Sequence, residues 1–204
     1  GGEVQILLVS AYQAANDLEA ATTLCEKLLR HPSPSTSQQA KNLLYIINAP
    51  VSDLAERVRP ILEQKGQSPS DAFLHTFIEL MQERAVTLTD FWENGYYFFE
   101  PPQTYEEKMI KKRWEPARKP LFLQLLQQIE ELEDFKADGI KQATEDFMEA
   151  NELKFGEVLP MLRLANAGTM KGPAVFEMME LLGREEVSRR MRTAFDRFDL
   201  IASQ

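Results

Sequence analysis

Residues 162–184 leave the chain few choices of conformation. Leu162, Leu164, Ala165 and Ala167 read as an apolar helix carrying one arginine, Arg163, and Gly168 ends it. Gly172-Pro173 then predicts a restart, with proline at the first helical position, where its missing N–H costs nothing. Val175, Phe176, Met178, Met179, Leu181 and Leu182 make this second helix brief and apolar. Gly183 closes it, and a third helix follows, rich in Arg189, Arg190, Met191 and Arg192. A helix start offers free N–H groups and a positive dipole end. Here arginine and an aromatic, Phe176, lie beside such a start, and that set of parts holds phosphates and unstacked RNA bases. An ordinary helical corner with Phe176 in the core uses the same residues.

The string resembles the C-terminal anticodon-binding region of bacterial glutamyl-tRNA synthetases, through Arg163, Ala165, Gly168, Gly172, Pro173, Phe176, Glu177, Leu182, Gly183, Glu185 and Arg189 or Arg190. Upstream, Glu83-Arg84-Ala85-Val86-Thr87-Leu88 is similar to the E-R-x-x-T-L segment of that family. Phe98-Phe99-Glu100-Pro101-Pro102, Tyr105-Glu106-Glu107-Lys108 and Lys111-Lys112-Arg113-Trp114 fit one bacterial branch of it. The similarity runs from about residue 51 to the C-terminus. It implies that Arg84 reads the third anticodon base and that Arg163 with Gly172, Pro173, Val175 and Phe176 holds the first two. Many members have glycine after the proline. This chain has Ala174, so the backbone there is expected to approach RNA less closely. The partner implied is a glutamate-accepting tRNA, not DNA.

Composition bears on this in two ways. Apolar residues at 44% with 27% charged describe a soluble globular protein with a sizeable core. The net charge of −9 does not advertise a nucleic-acid binder, so RNA recognition has to come from a local basic surface. Basic residues cluster at 108–119 and 184–197, with acidic neighbours interleaved in both, and either could be a solvated helix face. Cys25 is the only cysteine, which rules out an intrachain disulfide and fits a reducing, cytoplasmic setting. No uninterrupted apolar run reaches membrane-spanning length.

Taken in order, residues 1–49 are a different sort of sequence. Val4, Ile6, Leu7, Leu8 and Ala11 predict a helix, Asn16-Asp17 a break, and Leu18, Ala21, Leu24, Leu28 and Leu29 a second helix. His31-Pro32-Ser33-Pro34-Ser35 is a turn, and a third helix is expected over residues 36–48. The spacing weakly resembles a tetratricopeptide repeat, and one such hairpin cannot bury its own apolar face. The segment must lean on the rest of the chain, pair with a protein partner, or be a piece of a longer array. Residues 50–100 are expected to form a first helical lobe and 101–204 a second, meeting near residues 96–104. Ser52 is the expected N-cap of a helix to Gln64, and Ser68-Pro69-Ser70-Asp71 starts the next. Further helices are expected from Thr87-Leu88-Thr89-Asp90, around 108–114, and over 120–132, 137–151 and 154–167. The aromatics Tyr96-Tyr97-Phe98-Phe99 suit helix-to-helix packing better than base stacking. The fold class is all-α, a helical bundle or cage in two lobes preceded by the repeat-like segment.

No catalytic constellation is present. Lys108-Met109-Ile110-Lys111-Lys112 only faintly resembles the K-M-S-K-S loop of class I synthetases: it lacks both serines and no H-I-G-H partner precedes it. Gly168-Thr169-Met170-Lys171-Gly172 lacks the spacing of a phosphate loop, and His31 and His75 are too few for a triad or a zinc site. ATP and Mg are implied only for an intact synthetase, and no cofactor is expected in this chain. The chain is therefore expected to be inactive alone. Glutamate-dependent ATP–pyrophosphate exchange should stay at background, and turnover above it would reveal a nucleotide site that the motifs do not show.

Overall fold

The computed structural model describes residue 9 and residues 17–203. The helix expected from Val4 to Ala11 lies, Val9 apart, outside them. Among the described residues there are eleven α-helices and no strand. They gather into two compact units, residues 1–96 and 97–204.

The first unit holds α1 (Leu18–Leu28), α2 (Pro34–Asn48), α3 (Val51–Gln64), α4 (Asp71–Met81) and the single-turn α5 (Asp90–Glu93). Each start has a local cause. Asp17 accepts from the Ala20 amide, Ser33 from Thr36 with Pro34 in the first turn, and Ser70 from Phe73. Ser52 is not a cap: α3 begins one residue earlier, at Val51, behind Pro50, whose extended ψ of 147° feeds the chain straight into the helix. The Ser52 hydroxyl instead meets Asp53 at 3.4 Å. Gly66 closes α3's C-terminal turn with φ of +79°, a conformation that suits glycine.

Ala21, Cys25 and Leu28 of α1 pack with Ala40 and Leu43 of α2 and with Val9, and Val86 lies against the same cluster. A second anchor is polar. The Gln82 amide donates to the carbonyls of Ile46 (2.8 Å) and Ala49 (3.0 Å), satisfying groups that the end of α2 leaves without helical partners. Arg57 of α3 stacks over the Tyr45 ring at 4.7 Å. The N-terminal hairpin is thus tied to the stretch after α4 by the Val86 contact and the Gln82 hydrogen bonds, and to α3 by the stacked Arg57. Leu74, Phe77, Ile78, Met81 and Phe91 complete the core, with Phe77 meeting Phe91 edge to face at 6.2 Å.

The second unit holds α6 (Glu107–Arg113), α7 (Lys119–Glu130), α8 (Ala137–Ala150), α9 (Phe155–Ala167), α10 (Val175–Leu182) and α11 (Arg184–Ala202). The buried face of α11 is Val187, Arg190, Met191, Ala194, Phe195 and Phe198, a three-and-four spacing that includes one cation. Trp114 stacks on Phe195 at 5.2 Å and donates its indole N–H to Asp199 at 2.8 Å. Tyr97 and Phe98 are buried, so the aromatic run packs as its density suggested. No described helix is long and apolar enough to cross a membrane.

Cys25 is fully buried, and burial pushes its thiol up to about 11. The thiolate is the reactive form, so the folded chain should resist alkylation at mildly alkaline pH and react only on unfolding. Mass spectrometry after iodoacetamide treatment, with and without denaturant, checks this. Rapid labelling of the folded chain would show that the α1–α2 packing opens readily.

Candidate nucleic-acid interface

Helix α9 ends where the sequence says it should, with Gly168 in the left-handed region at φ +74°. A side chain there would meet the Thr104 carbonyl at 2.5 Å and Pro102 at 2.7 Å, so glycine is required for space as well as for φ. The loop that follows is held by one carboxylate. Glu106 accepts from the Thr169 hydroxyl (2.5 Å) and the Met170 amide (2.7 Å), while its own amide donates to Gly168 at 3.0 Å.

The restart differs from the expectation. Proline is not at the first helical position: α10 begins at Val175, and Ala174 is its N-cap, with an extended ψ of 139°. Gly172 at φ +134° turns the loop, and the chain leaves Pro173 extended for one more residue before it coils. No side chain caps α10, so its first amides are free of helical partners while its positive dipole end is uncompensated except by Glu177.

The structure brings Arg163 and Gly172 together. A Cβ built on Gly172 would collide with the Tyr97 hydroxyl and lie 3.3 Å from Arg163 Nη1. Arg163 is partly buried, Pro173 is buried, and Ala174 and Lys171 are exposed. Val175 and Phe176 are 4% and 8% exposed, so both side chains face the core beneath the helix start. Arg84 belongs to the other unit. It closes the 3₁₀ turn Gln82–Arg84, partly buried, and its Nη1 donates to the Leu80 carbonyl at 3.2 Å. Just after it, the Asp90 carboxylate accepts from the amides of Val86 (2.7 Å) and Thr87 (2.8 Å) and fixes that loop.

Of the arginines of α11 only Arg190 is buried, and most of the others pair at the surface. Arg190 is 3% exposed and donates to the carbonyls of Tyr97 (2.5 Å) and Asn166 (2.7 Å) and to Glu186 (2.6 Å). Asn166 lies in the last turn of α9, where carbonyls have no helical partners, so Arg190 caps that helix from the side. Burial pulls the Arg190 guanidinium below the usual arginine range, with Glu186 acting the other way. Arg192 pairs with Glu130 at 2.8 Å, Arg189 with Glu186 at 2.6 Å, and Arg184 donates to the Leu132 carbonyl. In the 108–119 stretch, Arg118 binds Glu157 at 2.6 Å and Lys119 binds Asp196 and Asp199, both at 2.7 Å. Lys108, Lys111 and Lys112 remain exposed on α6. Three residues that shape the corner, Tyr97, Glu106 and Arg190, are absent from the sequence-predicted set. Glu106 and Arg190 stand in the motifs that carry the resemblance and Tyr97 in an aromatic run expected to pack, but none of them is assigned to the site by sequence.

The corner combines a helix start without a side-chain cap, the converging Arg163 and a glycine-fixed loop. No described cluster of histidine, cysteine or carboxylates could hold a metal ion. The chain belongs to the anticodon-binding domain family, whose model matches residues 53–195. It is 34% identical over 162 residues to a glutamate–tRNA ligase of Chlorobium chlorochromatii, covering 74% of this chain and 32% of that protein. To the glutamate–tRNA ligase of Flavobacterium johnsoniae it is 33% identical over 153 residues, covering 75% and 30%. Among solved structures, a glutamate tRNA ligase from Elizabethkingia meningosepticum in complex with its amino acid superposes with a TM-score of 0.76 at 32% identity. That match covers 80% of this chain and 32% of that one. The chain thus spans about a third of the length of these relatives.

The Glu186–Arg190 pair is expected to make the stability of the second unit depend on pH in the acid range. Burial raises the Glu186 carboxyl, but hydrogen bonds from Arg189 and Arg190 outweigh it and leave it below its ordinary 4.5. Glu180, accepting from the Ala137 amide and Lys136, is lowered likewise, and so is Glu130 beside Ser188 and Arg192, against its own burial. A carboxylate depressed in the folded state contributes stability above its ordinary value and loses it as pH falls through the depressed one. Urea midpoints should therefore stay level near neutrality and drop on acidification below about 4.5, and Glu186→Gln should shrink the drop. A midpoint that rises on acidification would contradict this.

Proposed function

We propose that this chain recognises the anticodon of a glutamate-accepting tRNA, as the C-terminal part of a glutamyl-tRNA synthetase. The observation that carries the reading is the convergence of Arg163 on Gly172, one short loop before the uncapped start of α10. A chain of the anticodon-binding domain family that presents this arrangement has the parts to hold unstacked bases. The names of the relatives supply the glutamate identity.

In this reading the guanidinium groups of Arg163 and Arg84 meet base edges, since a planar fork donates two parallel hydrogen bonds. Val175 and Phe176 contribute their backbone amides at the helix start, while their buried side chains keep that start in place. Gly172 and Pro173 fix the approach. Ala174 is exposed, and its methyl holds RNA off the backbone there. Lys108, Lys111 and Lys112 meet phosphate only, giving a chain of net charge −9 a local basic face.

Base contacts discriminate and phosphate contacts do not. Arg163→Ala and Arg84→Ala should each cost about 1–3 kcal/mol against a stem-loop with a glutamate anticodon, and less against an altered one. Neutralising Lys111 and Lys112 should weaken both RNAs alike and lower the salt slope by about one unit for each phosphate no longer neutralised. The check is a binding series with matched and altered anticodon stem-loops at fixed salt, with folding followed by circular dichroism. Equal losses on every anticodon in both arginine variants would refute base readout.

A further inference from the structure

The anticodon reading gives Tyr97 no role, yet the corner is built around it. Its side chain is 1% exposed, and its ring lies 5.0 Å from that of Phe98. At the backbone end, the Tyr97 carbonyl accepts from Arg190 Nη1 at 2.5 Å, and the same Nη1 reaches the Asn166 carbonyl at 2.7 Å. At the other end, the hydroxyl occupies the space beside Gly172 where any larger residue would need room for its Cβ. Arg163 Nη1 lies 3.3 Å from that same point. One stiff aromatic side chain, with only two rotatable bonds, therefore spans from a buried anchor to the loop that carries the candidate base contacts.

We propose that Tyr97, held at its carbonyl by Arg190, sets the position of Gly172 and Arg163 and, through them, the choice of anticodon. Both are positioning residues, since neither reaches the surface. The inference rests on the anticodon reading and adds to it the part that fixes specificity. Gly172 is the natural sensor. Its φ of +134° is reserved for glycine, and its lack of a side chain lets the loop settle on the phenol. Arg190 suits the anchor because a planar fork can serve two carbonyls and Glu186 at once, which an ammonium on a flexible stem cannot reproduce.

The test uses the full 204-residue chain, matched and altered anticodon stem-loops at fixed salt, thermal melting, and amide hydrogen exchange at residues 171–176. Tyr97→Phe removes one oxygen and keeps the packed ring. It should lower the matched-to-altered affinity ratio by about fivefold or more, the low end of what one well-placed base contact supplies. Exchange at 171–176 should speed up while the melting temperature changes little. Arg190→Lys should lower the ratio in the same way. Gly172→Ala should also lower it. In the Tyr97→Phe/Gly172→Ala double variant the added methyl no longer meets the hydroxyl, its nearest remaining neighbours being Arg163 at 3.3 Å and the ring at 3.4 Å. The combined loss should then be smaller than the product of the two single losses.

Unchanged discrimination and unchanged exchange in Tyr97→Phe would overturn the proposal. So would equal weakening on both RNAs with a lower melting temperature, the signature of a merely structural tyrosine. Failure of the anticodon reading itself is seen separately and first, as a wild-type chain that binds matched and altered stem-loops alike.

Discussion

Taking a guanidinium out of water costs several kcal/mol unless it keeps its hydrogen bonds and a counter-charge. Arg190 keeps both at 3% exposure, with Glu186 four residues before it and two backbone carbonyls from elsewhere in the second unit. It sits in the apolar face of α11, between Val187 and Ala194, where a leucine would pack without electrostatic cost. What a leucine could not do is satisfy the Asn166 carbonyl at the end of α9 and the Tyr97 carbonyl at once. That side chain ties the end of α9 to Tyr97, and the rest of the corner builds on this tie. The end of α9 is fixed, so Gly168 turns at a defined place, Glu106 gathers the loop, and Gly172 comes down on the Tyr97 hydroxyl beside Arg163.

The same kind of pairing takes up much of the positive charge on α11 and beside α7. Of the arginines on α11, Arg184, Arg189, Arg190 and Arg192 bind carbonyls or carboxylates within the fold. Arg118 and Lys119 do likewise beside α7. Lys108, Lys111 and Lys112 are exposed on α6, with Lys111 paired to Glu107 at 3.7 Å. In the proposed reading a few phosphate contacts add affinity while Arg84 and Arg163 carry most of the discrimination, so the module selects more than it grips.

The helices are legible in the sequence because their punctuation is strong. Gly66, Gly168 and Gly183 end helices at positive φ, and Ser33 and Ser70 cap the helices they precede. Where the structure departs from the pattern, a proline is the cause. Pro173 suggests a helix start, but the dihedral it fixes is shared by extended chain, so α10 starts two residues late, while α3, behind Pro50, starts two residues before the position that an N-cap at Ser52 implies. The candidate site is legible in its motif residues, Arg163 and Gly172, and in the buried partners Val175 and Phe176 only as a choice between surface and core. The roles of Tyr97 and Glu106 are not legible at all. Each acts on the loop from more than sixty residues away in the chain, a distance that no local periodicity encodes. The docking of the N-terminal hairpin through Gln82 and Arg57 is of the same kind.

The central claim is that the stretch from Lys171 to Glu177, the loop end and the first turn of α10, is where RNA is read. Titrating the isotope-labelled chain with a glutamate-anticodon stem-loop and following backbone amide shifts by NMR tests it most directly. The account predicts the largest shifts at residues 171–177 and near Arg84, and their loss when the anticodon is altered while small shifts on α6 persist. Shifts confined to α6, or a loop that responds identically to every anticodon, would contradict it.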